Sequence, residues 1–537
     1  MSFSIQPFGD RALLVNFEQR IDKAINTKVI ALKVAIEQAD LLGVTFLIPA
    51  YCSLTIGFEP KKIAADILTV AIREIYEEAN ISPTQGEPKP RHLRIPVCYD
   101  PSFGLDLAEL SSQINLSVEE IIQLHTEQVF KVYMLGFMPG FVFMGKLSEK
   151  LQCARKATPR LRIPPRSVGI AGLQTGIYPT ESPGGWQIIG RTPYPIFSPT
   201  NQHPFLFQAG DTVQFYSISK IDYEAEVLKH NPPPSPVPSE KSSNATRFLF
   251  LKTGLQTLVQ DRGRFGYQAF GVPVSGAMDR KNAELANQLV GNSDDTPVLE
   301  MTLLGPTIEI TGTCQIAITG ADFAPKFNNQ PLPRYKTISI KNGGILRFGG
   351  AKSGCRAYLA IRGQWEIPQW LDSYSALPYN GTIATPHSYL QKGSQLFIKS
   401  KERMTTKSLP INRQPSFPTF QEIKVLLGPE LEIFSKKTIA YFFSQTFTIS
   451  ADANRMGYRL EERLMDYTPQ KNIISTGVVP GTIQITNSGQ PVVLMADAQT
   501  VGGYPRIANV LSSEMSKLAQ LKPSDKVRFV LIVDEKI

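Results

Sequence analysis

Between Gly254 and Glu300, polar and charged side chains are interleaved with closely spaced glycines. The stretch opens G-L-Q-T-L-V-Q-D-R-G-R-F-G-Y and continues through G-V-P-V-S-G-A-M-D. It then passes a short helical run ending V-G-N and closes on Leu299-Glu300. Glycine lets a backbone turn sharply and approach a bound molecule closely. Asp261, Arg262 and Arg264 beside such turns suit an anionic, polar small molecule, and Ser275 and Asp279 join them as candidates for holding it. Read as ordinary surface turns, the same charges would only face water.

Other blocks could take part. Asp279 precedes R-K-N-A-E-L-A-N-Q-L-V-G and is a good helix N-cap, which can be all it does. R-M-G-Y-R-L at 455–460 and M-A-D-A-Q-T-V-G-G-Y-P-R at 495–506 add the cations Arg455, Arg459 and Arg506. Asp497 could serve as a base or metal ligand, and Tyr458 and Tyr504 as stacking or hydrogen-bonding faces, unless this is a solvated rim. Nearer the N-terminus, residues 169–192 set Gln174, Tyr178, Ser182 and Arg191 on a glycine-rich frame. Such groups can orient a small amide or carboxylate, with the arginine clamping an anion in a fork. Turn chemistry alone is the other reading. M-L-G-F-M-P-G-F-V-F-M-G at 134–145 turns at Gly136, Pro139 and Gly140 between Phe137 and Phe141. It reads as a core loop, or as an aromatic wall lining a pocket or a partner surface. Gly140 to Lys146 fits G-x-x-x-x-G-K, but Leu147 stands where a phosphate loop needs Ser or Thr. His125 ends a helix and reads either as packing or as a site member. No Ser-His-Asp ordering or G-x-S-x-G elbow is present.

These residues need a large frame. At 537 residues the chain has room for about three or four domains. Its 42% hydrophobic and 19% charged residues allow an ordinary globular core. The net charge of +9 is spread out, which implies mild attraction for anionic substrates and no nucleic-acid footprint. Cys52, Cys98, Cys153, Cys314 and Cys355 are an odd, widely spaced set, which suits a reducing cytosol and argues against a zinc site. The N-terminus lacks a signal-peptide pattern, and no apolar run approaches about 20 residues. A cytoplasmic protein with no membrane span is expected.

Residues 231–245, N-P-P-P-S-P-V-P-S-E-K-S-S-N-A, read as a Pro/Ser linker dividing the chain. Before them, residues 1–88 predict a small α/β unit. A strand near 11–17 precedes a helix on Ile25, Val29, Leu32 and Ile36. Strands at 44–48 and 54–58 follow, then a helix on Ile63, Ile67, Val70 and Glu74, widened by Ala71 and Ile75. The order β-α-β-β-α suggests a split βαβ, ferredoxin-like layer. From about 90 onward, short strands with prolines and glycines favour barrels or sandwiches. One helix stands out at 118–125, with Ser117 and Glu120 forming a capping box. A faint repeat links T-I-E-I-T at Thr307 with T-I-Q-I-T at Thr482, and Ala321-Asp322 with Ala496-Asp497. Q-A-G-D-T-V-Q-F, K-N-G-G-I-L-R-F and K-P-S-D-K-V-R-F, ending at Phe215, Phe348 and Phe529, each read as a turn feeding a closing strand. Three related β units are expected, over 89–230, 246–405 and 406–537.

Three motifs in residues 1–230 resemble the B subunit of 5-oxoprolinase, also described as allophanate hydrolase subunit 1 or a sporulation-kinase inhibitor: G-D-R-A-L-L at Gly9, L-G-F-M-P-G-F at Leu135 and I-Y-P-T-E-S-P-G-G-W-Q-I-I-G-R-T-P at Ile177. Residues 246–537 resemble the C subunit of the same enzyme, the allophanate hydrolase subunit 2 or biotin-dependent carboxyltransferase-like family, through V-Q-D-R-G-R-F-G-Y, G-V-P-V-S-G-A-M-D, R-M-G-Y-R-L and Q-T-V-G-G-Y-P-R. The chain looks like the two fused. The resemblance implies an α+β, mostly β fold, with a ferredoxin-like N-terminal unit and three cyclophilin-like β-barrels. It also implies ATP-dependent opening of 5-oxo-L-proline to L-glutamate, with Mg²⁺ and the lactam-utilisation-type A subunit of 5-oxoprolinase; the small-molecule partner is 5-oxoproline or a related small amide. A homo-oligomer is compatible with it. On this reading Arg262, Arg264, Arg455 and Arg506 neutralise charge, Asp261 and Asp497 handle protons or magnesium, and Gln174 and Tyr178 orient the substrate. One departure stands out. Leu371 to Leu377 reads L-D-S-Y-S-A-L, with Tyr374 where relatives carry an arginine, so either the site tolerates this or the substrate has drifted. Two other readings stay open: a biotin-dependent carboxyltransferase component, and a histidine-kinase-binding regulator.

Overall fold

Two short strands, β1 (Ser4–Pro7) and β2 (Ala12–Asn16), open the computed structural model, which describes residues 3–78, 90–199, 201–230, 245–378, 390–467 and 473–532. The linker expected over 231–245 lies outside the described residues, apart from Ala245. Asp22 starts α1 (Lys23–Ala39): its carboxylate accepts from the backbone of Ala24 and Ile25, satisfying N–H groups that a helix start leaves unpaired. Ile25, Val29, Leu32 and Ile36 are buried as their spacing predicts. Strands β3 (Val44–Pro49) and β4 (Ser53–Phe58) follow, then α2 (Ala65–Glu78). The sheet order β1-β2-β4-β3 places β4 between β2 and β3, the split βαβ arrangement, with β1 as an added edge.

The second helix differs from its expected face. Ile67 and Val70 point to solvent, at 61% and 54% exposure, while Leu68 and Ile72 are fully buried. Two apolar stripes overlap in this sequence. The structure buries the one that lies about 100° further round the helix.

Strands from 92 to 217 form one seven-stranded sheet. His92–Val97 pairs parallel with Thr212–Ser217. The far edge, Gln187–Arg191, comes round until Arg191 and Cys98 exchange two backbone hydrogen bonds, so the sheet closes on itself. The last seven-stranded sheet does the same. Phe420–Leu427 pairs parallel with Lys526–Leu531, and Ile449 bridges Leu460 across the edges. The likeness extends to the turns before the closing strands. Asp211 and Asp525 each accept from the backbone N–H three residues earlier, on Gln208 and Lys522, and the residue before each aspartate has positive φ.

The middle unit departs from this pattern. It has a seven-stranded and a five-stranded sheet, with Phe248, Ile316 and Leu359 in the core they share. K-N-G-G-I-L-R-F does not close it. Gly344–Arg347 lies inside the sheet, and the strand that meets Ala245–Lys252 at the end of the unit is Gln395–Lys399, antiparallel to it. The T-I-E-I-T and T-I-Q-I-T segments are both strands, yet only the first pairs with the opening strand of its own unit. Among the described residues no helix is long and apolar enough to cross a membrane. All five cysteines are free and buried.

The two parts of the chain meet over a broad seam. Asp10 accepts from the backbone and hydroxyl of Ser512, and Arg11 Nε donates to the same hydroxyl at 2.8 Å. Phe197 and Phe205 stack, Phe205 stacks on Phe270, and Phe197 meets Trp370 edge-on. Gly140 N–H donates to Phe270 O at 2.9 Å. Gly271 has φ +80°, and a Cβ there would lie 2.5 Å from Met138 O. Gly271→Ala therefore adds a steric clash to about 1–2 kcal/mol of backbone strain. With a protease site placed in 231–245 and cut, the wild-type halves are expected to co-elute and the variant halves to separate. Co-elution of both proteins would refute this account of the seam.

Candidate functional site

Asp261 follows the strand Gln256–Gln260 and holds a distant turn in place. Its Oδ1 accepts from Gly263 N, Ser373 Oγ and Ser375 Oγ, and its Oδ2 accepts from Tyr374 N at 2.6 Å. Arg264 grips the same turn. Nε donates to Trp370 O at 3.1 Å, Nη2 donates to Ser375 O at 2.5 Å, and the guanidinium stacks over the Trp370 ring at 4.5 Å. Burial pulls the Arg264 pKa down to about 10, against the opposing pull of Asp261 and Asp497. Leu371 and Asp372 both have positive φ in this turn. The segment noted above only as a departure from relatives is thus the partner of the glycine-rich stretch.

Together they border a cleft of about 270 Å³, lined by Asp261, Arg262, Gly263, Phe265, Asp295, Gln369, Asp372 and Tyr374. Arg262 is half-exposed and pairs with Asp295 at 2.9 Å. Asp372 accepts from Tyr267 OH at 3.1 Å.

Beneath this region lies a buried charged network that joins the last two β units. Arg455 Nη1 donates to Glu300 Oε1 at 2.5 Å, its Nε and Nη2 meet both oxygens of Asp497, and Nη2 also reaches Gly276 O. Burial opposes the charge on Arg455, and Asp497 and Glu300 outweigh that, so its pKa is raised. Tyr458 OH accepts from Arg356 Nη1 and donates to Leu521 O. Asp279 caps the helix Arg280–Leu289 and also accepts from Gln520 Nε2. Burial raises its pKa, and its hydrogen bonds only partly offset this. Ser275, at φ +57°, donates its backbone N–H to Ala496 O.

The remaining candidates lie elsewhere. Arg506 is buried, pairs with Glu430 and stacks over Phe8 across the seam. Tyr504 and Arg459 are exposed. Gln174 and Arg191 lie in the first closed sheet, Tyr178 just beyond one of its strands and Ser182 in a separate two-stranded sheet with Arg160–Ile163, and none lines the cleft. Gln174 Oε1 accepts from Tyr51 OH at 2.7 Å. Tyr178 is buried against Phe141, and burial pushes its pKa up to about 12. Arg191 lies over the Phe103 ring. Of the aromatics in the 134–145 loop, Phe141 is buried and Phe137 is exposed. Sequence reading passed over Trp370, Ser373 and Ser375. Their signal was the alternation of Ser373, Tyr374 and Ser375, which sets two hydroxyls on one side. Among the described residues no group of three or more His, Cys, Asp or Glu is placed to hold a metal ion.

His125 is a packing residue. Its ring is wholly buried, bonds Tyr99 OH and Thr175 Oγ1 and stacks on Phe215. Burial lowers its pKa from 6.5 to about 3. The folded state therefore keeps it neutral while the unfolded chain takes up a proton. Stability from this group is full above about pH 6.5 and is lost by about 1.4 kcal/mol per unit as pH falls toward 3. Against His125→Gln, wild type is expected to lose about 2–3 kcal/mol between pH 6.5 and 4.5 in denaturant titrations. Parallel pH profiles would contradict this.

Known proteins share this architecture. The family model for the carboxyltransferase domain, subdomain A and B, matches residues 270–531, and that for subdomain C and D matches 3–207. The chain is 41% identical to the 5-oxoprolinase B subunit of Bacillus subtilis (strain 168) over 231 residues, covering 42% of this chain and 96% of that protein. It is 32% identical to the 5-oxoprolinase C subunit of Escherichia coli (strain K12) over 280 residues, covering 52% of this chain and 89% of that protein. The crystal structure of TTHA0988 superposes with a TM-score of 0.84 at 30% identity, covering 97% of this chain and 99% of the other.

Proposed function

The chain belongs to the carboxyltransferase-domain family and joins parts similar to the B and C subunits of 5-oxoprolinase in one polypeptide, and from that premise we propose that it is the fused B–C component of an ATP-dependent 5-oxoprolinase. One observation carries this reading: nearly the full length of both relatives lies in a single chain whose two parts dock through shared side chains. The three β units are read as cyclophilin-like, and the protein as cytoplasmic.

A five-membered lactam is a stable amide. Transfer of a phosphoryl group from ATP to its carbonyl oxygen makes the carbon electrophilic enough for water, releasing glutamate, ADP and phosphate. The described side chains offer no cluster that fits Mg²⁺, and the sequence carries no nucleotide fingerprint. ATP and Mg²⁺ are read as cofactors of the complex formed with the lactam-utilisation-type A subunit. This chain contributes the cleft, at a volume suited to a small ring. Arg262 is the cation of its lining, beside Asp261, Asp295 and Asp372, while Arg264 and Arg455 hold the frame behind it.

The test is glutamate release from 5-oxoproline with ATP, using the chain alone and with the lactam-utilisation partner present. Activity only in the mixture is expected. No release in either, from folded protein, would remove the reading. The carboxyltransferase family match favours a second one, carboxyl transfer to a small amide such as urea. Carboxylated product from urea and a separately supplied carboxybiotin carrier would favour it instead.

A further inference from the structure

Arg264 is fully buried, yet among the described residues no carboxylate touches it. Its acceptors are two neutral carbonyls, on Trp370 and Ser375, and its Nη1 has no partner. A buried cation without a counterion costs several kcal/mol, so proteins normally pair it. The neighbouring carboxylates are spent: Asp261 on Gly263, Ser373, Tyr374 and Ser375, and Asp497 on Arg455. Two further buried donors lack acceptors, one against the guanidinium and one near the Arg264 backbone. Trp370 Nε1 belongs to the ring on which the guanidinium lies. Ser275 Oγ is one residue beyond Val274, whose carbonyl takes the Arg264 backbone N–H. Three unmet donors, one of them charged, call for an acceptor that carries negative charge. Trp370 also sits between Gln369 and Asp372, both in the cleft wall, and meets Phe197 of the N-terminal part edge-on.

We infer that Arg264, Trp370 and Ser275 form an oxyanion-binding site behind the cleft wall, at the seam between the two parts, for a carboxylate or phosphoryl oxygen. Naming the carboxylate of 5-oxoproline as the guest rests on the function proposed above; the site itself does not. The lowered pKa of Arg264 agrees with a cation still short of its counter-charge.

The experiment uses the full chain and three probes: 5-oxoproline, its uncharged amide, and inorganic phosphate. At low ionic strength the wild-type melting midpoint is expected to rise with an anion and not with the amide, over concentrations up to about 20 mM. Response to 5-oxoproline alone assigns a carboxylate site; response to phosphate alone assigns a phosphoryl site. Arg264→Gln risks unfolding, so Trp370→Phe and Ser275→Ala carry the test. Each removes one donor and keeps most of the packing, and each is expected to weaken anion binding about tenfold. A purely structural role would lower the midpoint without changing its response to anions. Equal binding by wild type and both variants, or no response of wild type to either anion, would overturn the inference. With the lactam-utilisation partner present, lactam hydrolysis at an unchanged KM in both variants also overturns it and leaves the proposed function standing. Anion binding lost in the variants, with no lactam hydrolysed by wild type, sinks the function and keeps the site.

Discussion

Arg455→Ala is expected to destabilise the chain by about 3–5 kcal/mol at pH 8, the largest loss anticipated for any single side chain of the C-terminal part. The cost comes from what is left behind. Arg455 faces Glu300 on one side and Asp497 on the other, and all three are almost wholly buried. Glu300 also holds Met278 N and Tyr358 OH at 2.8 Å each, so its oxygens cannot turn toward water. Without the guanidinium, two carboxylates share one dry site across the joint between two β units, with Arg356 Nε, 3.8 Å from Glu300, too far to hydrogen-bond it. Protonation relieves that repulsion, so the deficit shrinks as pH falls. At pH 5.5 the variant should recover part of the loss that urea titration records at pH 8. Arg455→Met combined with Glu300→Gln and Asp497→Asn should recover more, since replacing a buried ion pair whole is far milder than orphaning its partners. A deficit below about 1 kcal/mol at pH 8 would show that the network contributes little.

How much of this was legible beforehand depended on the range of the interaction. The first helix was readable because a capping aspartate and a single apolar stripe agree. For the second helix two stripes competed, and only packing against the sheet chose Leu68 and Ile72 over Ile67 and Val70. Strand β1 was missed because four residues ending in proline carry almost no periodic signal. The closing turns at Asp211 and Asp525 were recognised through a local hydrogen bond that sequence can express. K-N-G-G resembled them because glycine marks a turn without saying which strand it feeds.

The site shows the same division. Density of glycine and charge singled out Asp261, Arg262 and Arg264, and the cleft borders on that stretch. Spacing could not reveal that Asp261 binds side chains more than 110 positions away, or that Asp497 answers Arg455 and Glu300 lies on its other side. Charges expected to await a ligand are largely directed at one another. Arg264 is an exception, and its incomplete pairing is visible only once its neighbours are placed.

Asp261→Asn is expected to lower partner-supplemented lactam hydrolysis at least a hundredfold while costing the fold only about 2 kcal/mol. The carboxylate receives four hydrogen bonds, from two backbone N–H groups and two hydroxyls. An amide of the same shape must turn an N–H toward at least one of those donors. The turn it holds carries two consecutive residues at positive φ, Leu371 and Asp372, each costing about 1 kcal/mol or more and kept only by its clamps. Released, the turn relaxes, and Gln369, Asp372 and Tyr374 leave the cleft wall together. Ser375→Ala removes one of the four donors and should cost about 1 kcal/mol alone. Added to Asp261→Asn it should cost almost nothing more, and that coupling of about 1 kcal/mol is measurable by denaturation whether or not the assay reads the right substrate. Strict additivity would mean that the carboxylate does not hold the turn. Activity within about threefold of wild type in Asp261→Asn would mean that the turn does not shape the site.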